Sequence, residues 1–332
     1  MLKFDEQKLL DNMNGALALR PEIEKIVDEL VDRGYSNICW LGIGGTYASA
    51  MQANIHMKEK TAIETFYQNA AEFLATGNKR ITKDTVVVIS SVSGNTAEIV
   101  AAVKEIESNI HATIIGFIDN KDAELAHMCD YVISFPMDEQ LKFFMVADRF
   151  MYRAGEFDDY EDLYSQLDKH FAQDIVNVEK SADEFGLKFA EKHHEDAIHY
   201  FVGAGNQWGA TYSYAMCYWE EQHWLRTKSI EAAEFFHGMF EIVDRDTPVT
   251  VYVGEDSQRS LSERVANFLP QICANYTIID SKDYDLPGID AKYRGYMTPF
   301  VLHAVNQRID AHIENLNRHP MDIRRYYRQL KY

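Results

Sequence analysis

With 332 residues the chain exceeds the size at which one hydrophobic core stops growing, so two domains or a duplicated unit is the expectation. Its formal charge of -19, with no Lys/Arg-rich stripe to neutralise phosphates, excludes a nucleic-acid or anionic-membrane partner. No apolar run approaches the roughly 18 residues that cross a bilayer, the start MLKFDEQKLLDN lacks the basic and apolar regions of a signal peptide, and Cys39, Cys129, Cys217 and Cys273 show no C-x-x-C spacing. A cytoplasmic protein with reduced thiols is expected.

In chain order, residues 1–20 read as a short helix and linker. Pro21 opens a helix with Ile23, Ile26, Val27, Leu30 and Val31 at helical spacing and Gly34 as its stop. A strand over 37–41, the turn Gly42-Ile43-Gly44-Gly45-Thr46 and a helix over 47–58 form a βα unit. A short strand over 63–67 leads to Asn69-Ala70-Ala71-Glu72-Phe73. Residues 85–102, TVVVISSVSGNTAEIVAA, are the stretch with the clearest chemistry: a continuous apolar strand, as in a parallel sheet covered on both faces, runs into Ser90, Ser91, Ser93, Gly94, Asn95 and Thr96 and then a helix. Compact hydroxyls, a glycine for a tight path and the free N–H groups of a helix start favour an anion. Strands over 112–118 and 131–135 and a helix over 140–152 follow, and the acidic stretch 156–162 reads as the boundary between halves. The alternation of strands and helices implies an α/β fold with a doubly wound parallel sheet.

The pattern then recurs. A strand over 199–202, the turn Gly203-Ala204-Gly205-Asn206-Gln207 and a helix over 208–225 repeat the first βα unit: Gly42 and Gly44 fall on Gly203 and Gly205, a shift of 161, and Ala70-Ala71-Glu72-Phe73 falls on Ala232-Ala233-Glu234-Phe235 with one added residue. The strand over 249–252 matches 86–89. In the second copy the hydroxyl-rich turn is replaced by Gly254-Glu255-Asp256-Ser257, whose acids oppose a phosphate, while His237-Gly238 follows its AAEF segment and Glu220-Glu221 closes its helix. Phosphate binding is therefore assigned to copy one and acid/base work to copy two. A helix over 299–316 precedes a tail with His319-Pro320 and Arg324-Arg325, read as a docked surface segment.

Other motifs carry less. Gly42-x-Gly44 starts a dinucleotide fingerprint, but Tyr47 holds its third glycine position. His193-His194 and His223 lack metal-site spacing, so no metal is expected, and no G-x-S-x-G elbow supports a serine hydrolase.

Together, Gly44-Gly45-Thr46, Ile89-Ser90-Ser91-Val92-Ser93-Gly94-Asn95-Thr96 and Ala233-Glu234-Phe235-Phe236-His237-Gly238 resemble the sugar isomerase (SIS) domain family, with two tandem SIS domains over 20–155 and 170–332. The segments Phe240-Glu241-Ile242-Val243 and Ser262-Glu263-Arg264-x-x-Asn267-Phe268, and the tail from His319 to Tyr327, resemble more narrowly the bacterial fructoselysine 6-phosphate deglycases and their relatives. The resemblance puts Gly45, Thr46, Ser91, Ser93, Gly94 and Thr96 on a sugar phosphate. It makes Glu221, sixteen residues before His237, the catalytic carboxylate, and His237 a histidine supplied from a neighbouring subunit. It implies a homodimer or larger homo-oligomer with an interfacial active site, for which the aromatic residues Trp219, Trp224, Phe235, Phe236 and Phe240 offer an apolar face, and no cofactor. Leu2 and Tyr218 depart from the glucosamine-phosphate synthase branch, which has a Cys after the initiator Met and a Lys three residues before the Glu. The implied substrate is a phosphorylated sugar–amino acid adduct; an aldose–ketose phosphate isomerase and a non-catalytic sugar-phosphate sensor are the alternatives.

Overall fold

The computed structural model describes residues 1–327 and 329–331. The chain forms two compact units, Lys8–Asp168 and Lys169–Tyr332, and Met1–Gln7 belong to the second. They part beyond the acidic stretch 156–162, because Glu161 and Asp162 supply the first turn of a helix, Tyr160–Gln166, where carboxylates complement the exposed N–H groups. The first residues join the second unit through Arg308, which donates to the Leu2 carbonyl at 2.7 Å, and through a Lys3–Glu314 pair.

In the first unit five parallel strands, β1 (Asn37–Gly42), β2 (Thr65–Asn69), β3 (Thr85–Ser91), β4 (Thr113–Ile118) and β5 (Tyr131–Ile133), lie in the order β2-β1-β3-β4-β5. All seven residues of β3 are buried, as its unbroken apolar run requires of a strand covered on both faces. Cys39, Leu41, Val87, Ile89, Ile114 and Ile118 pack on one face against Ile99 and Val103 of helix Ala97–Glu105. Trp40 and Phe117 face the other way, onto Phe143 at 5.3 and 5.9 Å between ring centroids, from helix Glu139–Arg153. Under that helix Asp148 accepts from Tyr164 at 2.8 Å and meets His56 Nε2 at 2.6 Å, all three buried. Burial holds His56 below the usual histidine range.

The second unit repeats the arrangement with four parallel strands, β6 (His199–Gly203), β7 (Thr227–Glu231), β8 (Val249–Val253) and β9 (Tyr276–Asp280), in the order β7-β6-β8-β9. The duplication is visible in register: Gly42 pairs with Asn69 and Gly203 with Glu231, so the AAEF segment follows the second strand in both copies. Asn69 caps a helix there, accepting from Ala71 and Glu72, whereas the copy-two segment is a turn and a 3-10 helix at Phe235–His237. Trp219 and Phe235 are fully buried in their own unit's core, and Phe236 and Phe240 pack against it, so four of the five aromatics expected at a subunit face are engaged internally.

Helix Ala291–Asn317 begins eight residues before Pro299, the expected start. Proline lacks the N–H that would bond to the carbonyl four residues back. That carbonyl, Gly295 O, instead accepts from Asn206 Nδ2 at 3.3 Å, which lets the helix run through the proline.

Removing the shared acceptor under helix Glu139–Arg153 strands two buried donors. Asp148→Ala is therefore expected to cost about 3 kcal/mol of stability, read as a lowered urea midpoint with Trp40 emission as the probe.

Candidate active site

The order β2-β1-β3-β4-β5 reverses direction between β1 and β3, the place where ligands sit at the carboxyl edge of such sheets. Both loops leaving this point start helices. Gly44 is the N-cap of Gly45–Lys58, and Thr96 the N-cap of Ala97–Glu105; neither helix receives a side-chain cap. Two sets of helix N–H groups thus converge on one sheet edge without a capping carboxylate or hydroxyl, an arrangement suited to an anion.

Within the β3 loop the predicted residues come together. Ser91 Oγ accepts from Gly94 N at 3.2 Å and stands 3.4 Å from Thr96 Oγ1, and Ser93 Oγ accepts from Asn95 N at 3.3 Å. Gly94 has φ 66°, and a Cβ there would collide with Ala123, so the loop's path requires glycine. Thr46 is placed differently from expectation. Its hydroxyl donates to Ile43 O at 3.0 Å and accepts from Ile43 N at 3.1 Å, closing the β1 turn, so its proton is engaged within the loop.

The equivalent point of the second unit, between β6 and β8, shows what such loops demand. Asp256 occupies it: Oδ2 accepts from Asn206 N of the β6 loop at 3.2 Å and Oδ1 from Gln258 N of the β8 loop at 2.8 Å. A Cβ on Gly205, at φ 57°, would collide with this carboxylate. Neighbouring Glu255 accepts from Arg294 at 2.8 and 2.9 Å. Of the acids expected to oppose a phosphate, Asp256 bridges the two loops itself. By the duplication, Asn206 corresponds to Gly45 of the first unit.

Glu220 and Glu221 lie on a π-helical segment, Tyr214–His223, that continues the α-helix Trp208–Ser213. The sequence predicts an α-helix there, with adjacent glutamates about 100° apart and only one of them facing the site. An i→i+5 turn winds less per residue, and both carboxylates line the same cavity of about 750 Å³, with Trp224, Arg226, Thr227, Arg324, Arg325 and Tyr326 among its walls. Glu220 accepts from Thr227 Oγ1 at 2.8 Å, and Glu221 accepts from Arg324 Nε at 2.7 Å. The tail is docked, as expected, and it also lines this cavity. Trp224, at φ 60°, carries the His319 ring at 4.1 Å between centroids and the Arg325 guanidinium at 4.3 Å. His237 is exposed at the end of its short 3-10 helix and is not among the residues lining the Glu221 cavity.

One cluster lay outside the motif spacings sought in the sequence. His193, Asp196 and His199 bring their ligating atoms within 4.8 Å of one another from a helix end, a loop and the start of β6. Both Nδ1 atoms meet Asp196 Oδ2, at 2.7 and 2.8 Å, and His199 Nε2 meets Thr250 Oγ1 at 2.8 Å. Burial pushes His199 down to about 4, so the neutral ring donates from one nitrogen and accepts at the other. The three side chains are hydrogen-bonded to one another, and His193 Nε2 is buried without a hydrogen-bond partner.

A duplicated α/β unit, with an internal carboxylate at one switch point and uncapped helix starts at the other, describes the class structurally, and residues 33–148 match the SIS domain family. Among characterised proteins, the chain is 26% identical to fructosamine deglycase FrlB of Bacillus subtilis (strain 168), over 94% of this chain and 97% of that protein. It is 23% identical to fructoselysine 6-phosphate deglycase of Escherichia coli (strain K12), over 92% and 90%. Its fold is shared with the solved structure of a candidate phosphosugar isomerase from Bacillus subtilis, at a TM-score of 0.89 with 24% identity, covering 96% and 99% of the two chains. It is also shared with the C-terminal domain of glucosamine-fructose-6-phosphate aminotransferase from Francisella tularensis, at 0.78, with 12% identity and 96% of each chain covered. Among the described residues no helix is long and apolar enough to cross a membrane.

If the β3 loop holds a phosphate, Gly94→Ala is expected to weaken fructose 6-phosphate binding by at least about tenfold through displacement of the loop, and Ser93→Ala by a few-fold for one lost hydrogen bond. Isothermal calorimetry on the folded variants decides; unchanged affinities in both exclude the loop.

Proposed function

We propose that the protein is a deglycase that uses water to cleave a phosphorylated ketose–amino acid adduct, giving glucose 6-phosphate and the free amino acid. The observation that carries the phosphate assignment is the internal carboxylate of Asp256, which bridges the two loops of copy two and leaves the corresponding place in copy one to the ligand's anion. The similarity to two deglycases over more than nine-tenths of the chain supports the choice of reaction.

In this reading Gly45, Ser91, Ser93, Gly94 and Thr96, with Thr46 through its backbone N–H, hold the unreacting phosphate. Binding energy gained there positions the sugar's reacting carbon. Glu221, as carboxylate, removes a proton from C1, which the adjacent C2 carbonyl makes acidic, giving an enaminol. Protonation at C2 gives an aldimine between C1 and the amine nitrogen, and water adds at C1 to release the amine. His237 opens the sugar ring or carries protons between oxygen and nitrogen, a task matched to histidine chemistry near neutral pH. Its exposed position suits a residue that acts in a neighbouring copy, so the active form is proposed to be a homodimer or a larger assembly. No step needs a metal or redox cofactor. An aldose–ketose isomerase would use the same base and stop before hydrolysis.

Glu221→Gln keeps the shape and removes the base, and is expected to lower kcat by about two to four orders of magnitude with little change in KM. Glu220→Gln retains an acceptor for Thr227 and is expected to cost far less. His237→Ala also lowers kcat, and its loss combines less than additively with that of Glu221→Gln. Turnover in D₂O must leave deuterium at C2 of the glucose 6-phosphate; product without that label rules out the enaminol route, and release of a ketose or aldose phosphate without free amine favours the isomerase.

A further inference from the structure

The C-terminal tail places a guanidinium on the carboxylate proposed as the base. Arg324 Nε donates to Glu221 Oε1 at 2.7 Å, and Arg324 Nη1 is anchored to the Met321 and Ile323 carbonyls. The tail that presents it is itself held, through His319 and Arg325 against Trp224. A carboxylate oxygen engaged by Arg324 is not open to the substrate. For Glu221 to reach C1 this pair has to part, and Arg324 then needs another anion in the same cavity.

The cavity's composition says what that anion is. In a chain with a formal charge of -19, the described residues lining this cavity include three arginines, Arg226, Arg324 and Arg325, and two glutamates, Glu220 and Glu221. One carboxylate is already held by the Thr227 hydroxyl. Arginines gathered in an acidic chain suit an anion, the planar fork of arginine matches a carboxylate, and the rings of Trp224 and Tyr326 provide apolar wall beside it.

We infer that Arg324 is a specificity-determining residue: it exchanges Glu221 for the free carboxylate of the amino acid part of the substrate, so that the enzyme selects adducts of amino acids over adducts of simple amines. The inference rests on the deglycase reading for the identity of the substrate, and on the observed ion pair for the residue. Substrate entry and activation of the base are then one event, since the incoming carboxylate draws Arg324 off Glu221.

The test uses full-length Glu221→Gln protein, which does not consume its ligand, with and without Arg324→Gln. Calorimetry compares two ligands with the same sugar phosphate: fructoselysine 6-phosphate and its decarboxylated counterpart, the 1,5-diaminopentane adduct. With Arg324 present, the carboxylate-bearing adduct is expected to bind about tenfold to a hundredfold more tightly than its counterpart. Arg324→Gln is expected to bring the two affinities within about threefold of each other, and Arg324→Lys, which keeps the charge and loses the fork, to restore part of the ratio. A merely structural role for the tail would weaken both ligands together. Equal affinities with Arg324 present, a ratio that survives Arg324→Gln, or a parallel loss on both ligands each overturns the assignment. Turnover by the unsubstituted enzyme is read separately. A preserved affinity ratio without release of glucose 6-phosphate defeats the deglycase reading and leaves Arg324 as a carboxylate receptor, while failure of both ligands to bind defeats both.

Discussion

A helix that starts at the carboxyl edge of a parallel sheet has N–H groups with no partner in its own backbone, and where two such helices start from neighbouring strands, the point between them favours a negative group. This chain meets that demand at two equivalent points. Between β6 and β8 it supplies its own anion, Asp256, which accepts from both loops. Between β1 and β3 it supplies uncapped helix starts, hydroxyls and a glycine path. One scaffold therefore gives one point closed by an internal carboxylate and one whose two helix starts receive no side-chain cap.

The second unit, with its anion position filled internally, has a different chemical surface to offer. Its resource is the π-helical segment after Trp208–Ser213, whose wider turn presents Glu220 and Glu221 to one cavity. Glu220 is fixed by Thr227 and Glu221 by Arg324, so two neighbouring carboxylates of the same type have partners of different charge. A neutral hydroxyl orients one glutamate, whereas a counter-ion carried by the tail holds the other.

Much of this was legible in the sequence, because it depends on local patterns. The unbroken apolar run of β3 required a strand buried on both faces, the alternation of strands and helices required a parallel sheet, and the repeated glycine turn and AAEF segment at nearly one shift required a duplicated unit. The hydroxyl-rich loop was recognisable because small polar residues around a glycine at a strand-to-helix junction have few other uses. Boundaries were less secure where one residue type serves two purposes: the acidic run near 160 reads as a linker and is a helix start, and Pro299 reads as a helix start and lies inside one.

What only the tertiary structure decided are the partnerships between residues distant in sequence. Glu255 and Asp256 read as repulsive acids; only folding shows that Asp256 accepts from Asn206, fifty positions earlier, and so ties the two loops together. Asn206 likewise takes up the carbonyl that Pro299 leaves unpaired. Trp219 and Phe235 have the same composition whether they cover a core or a subunit face, and burial alone assigns them to the core. The pairing of Glu221 with Arg324 joins residues 103 positions apart. Periodicity records which face of an element is buried, since that is repeated along the chain, but it carries no record of which single charged group will meet another, since such a contact is made once and by closure of the whole unit.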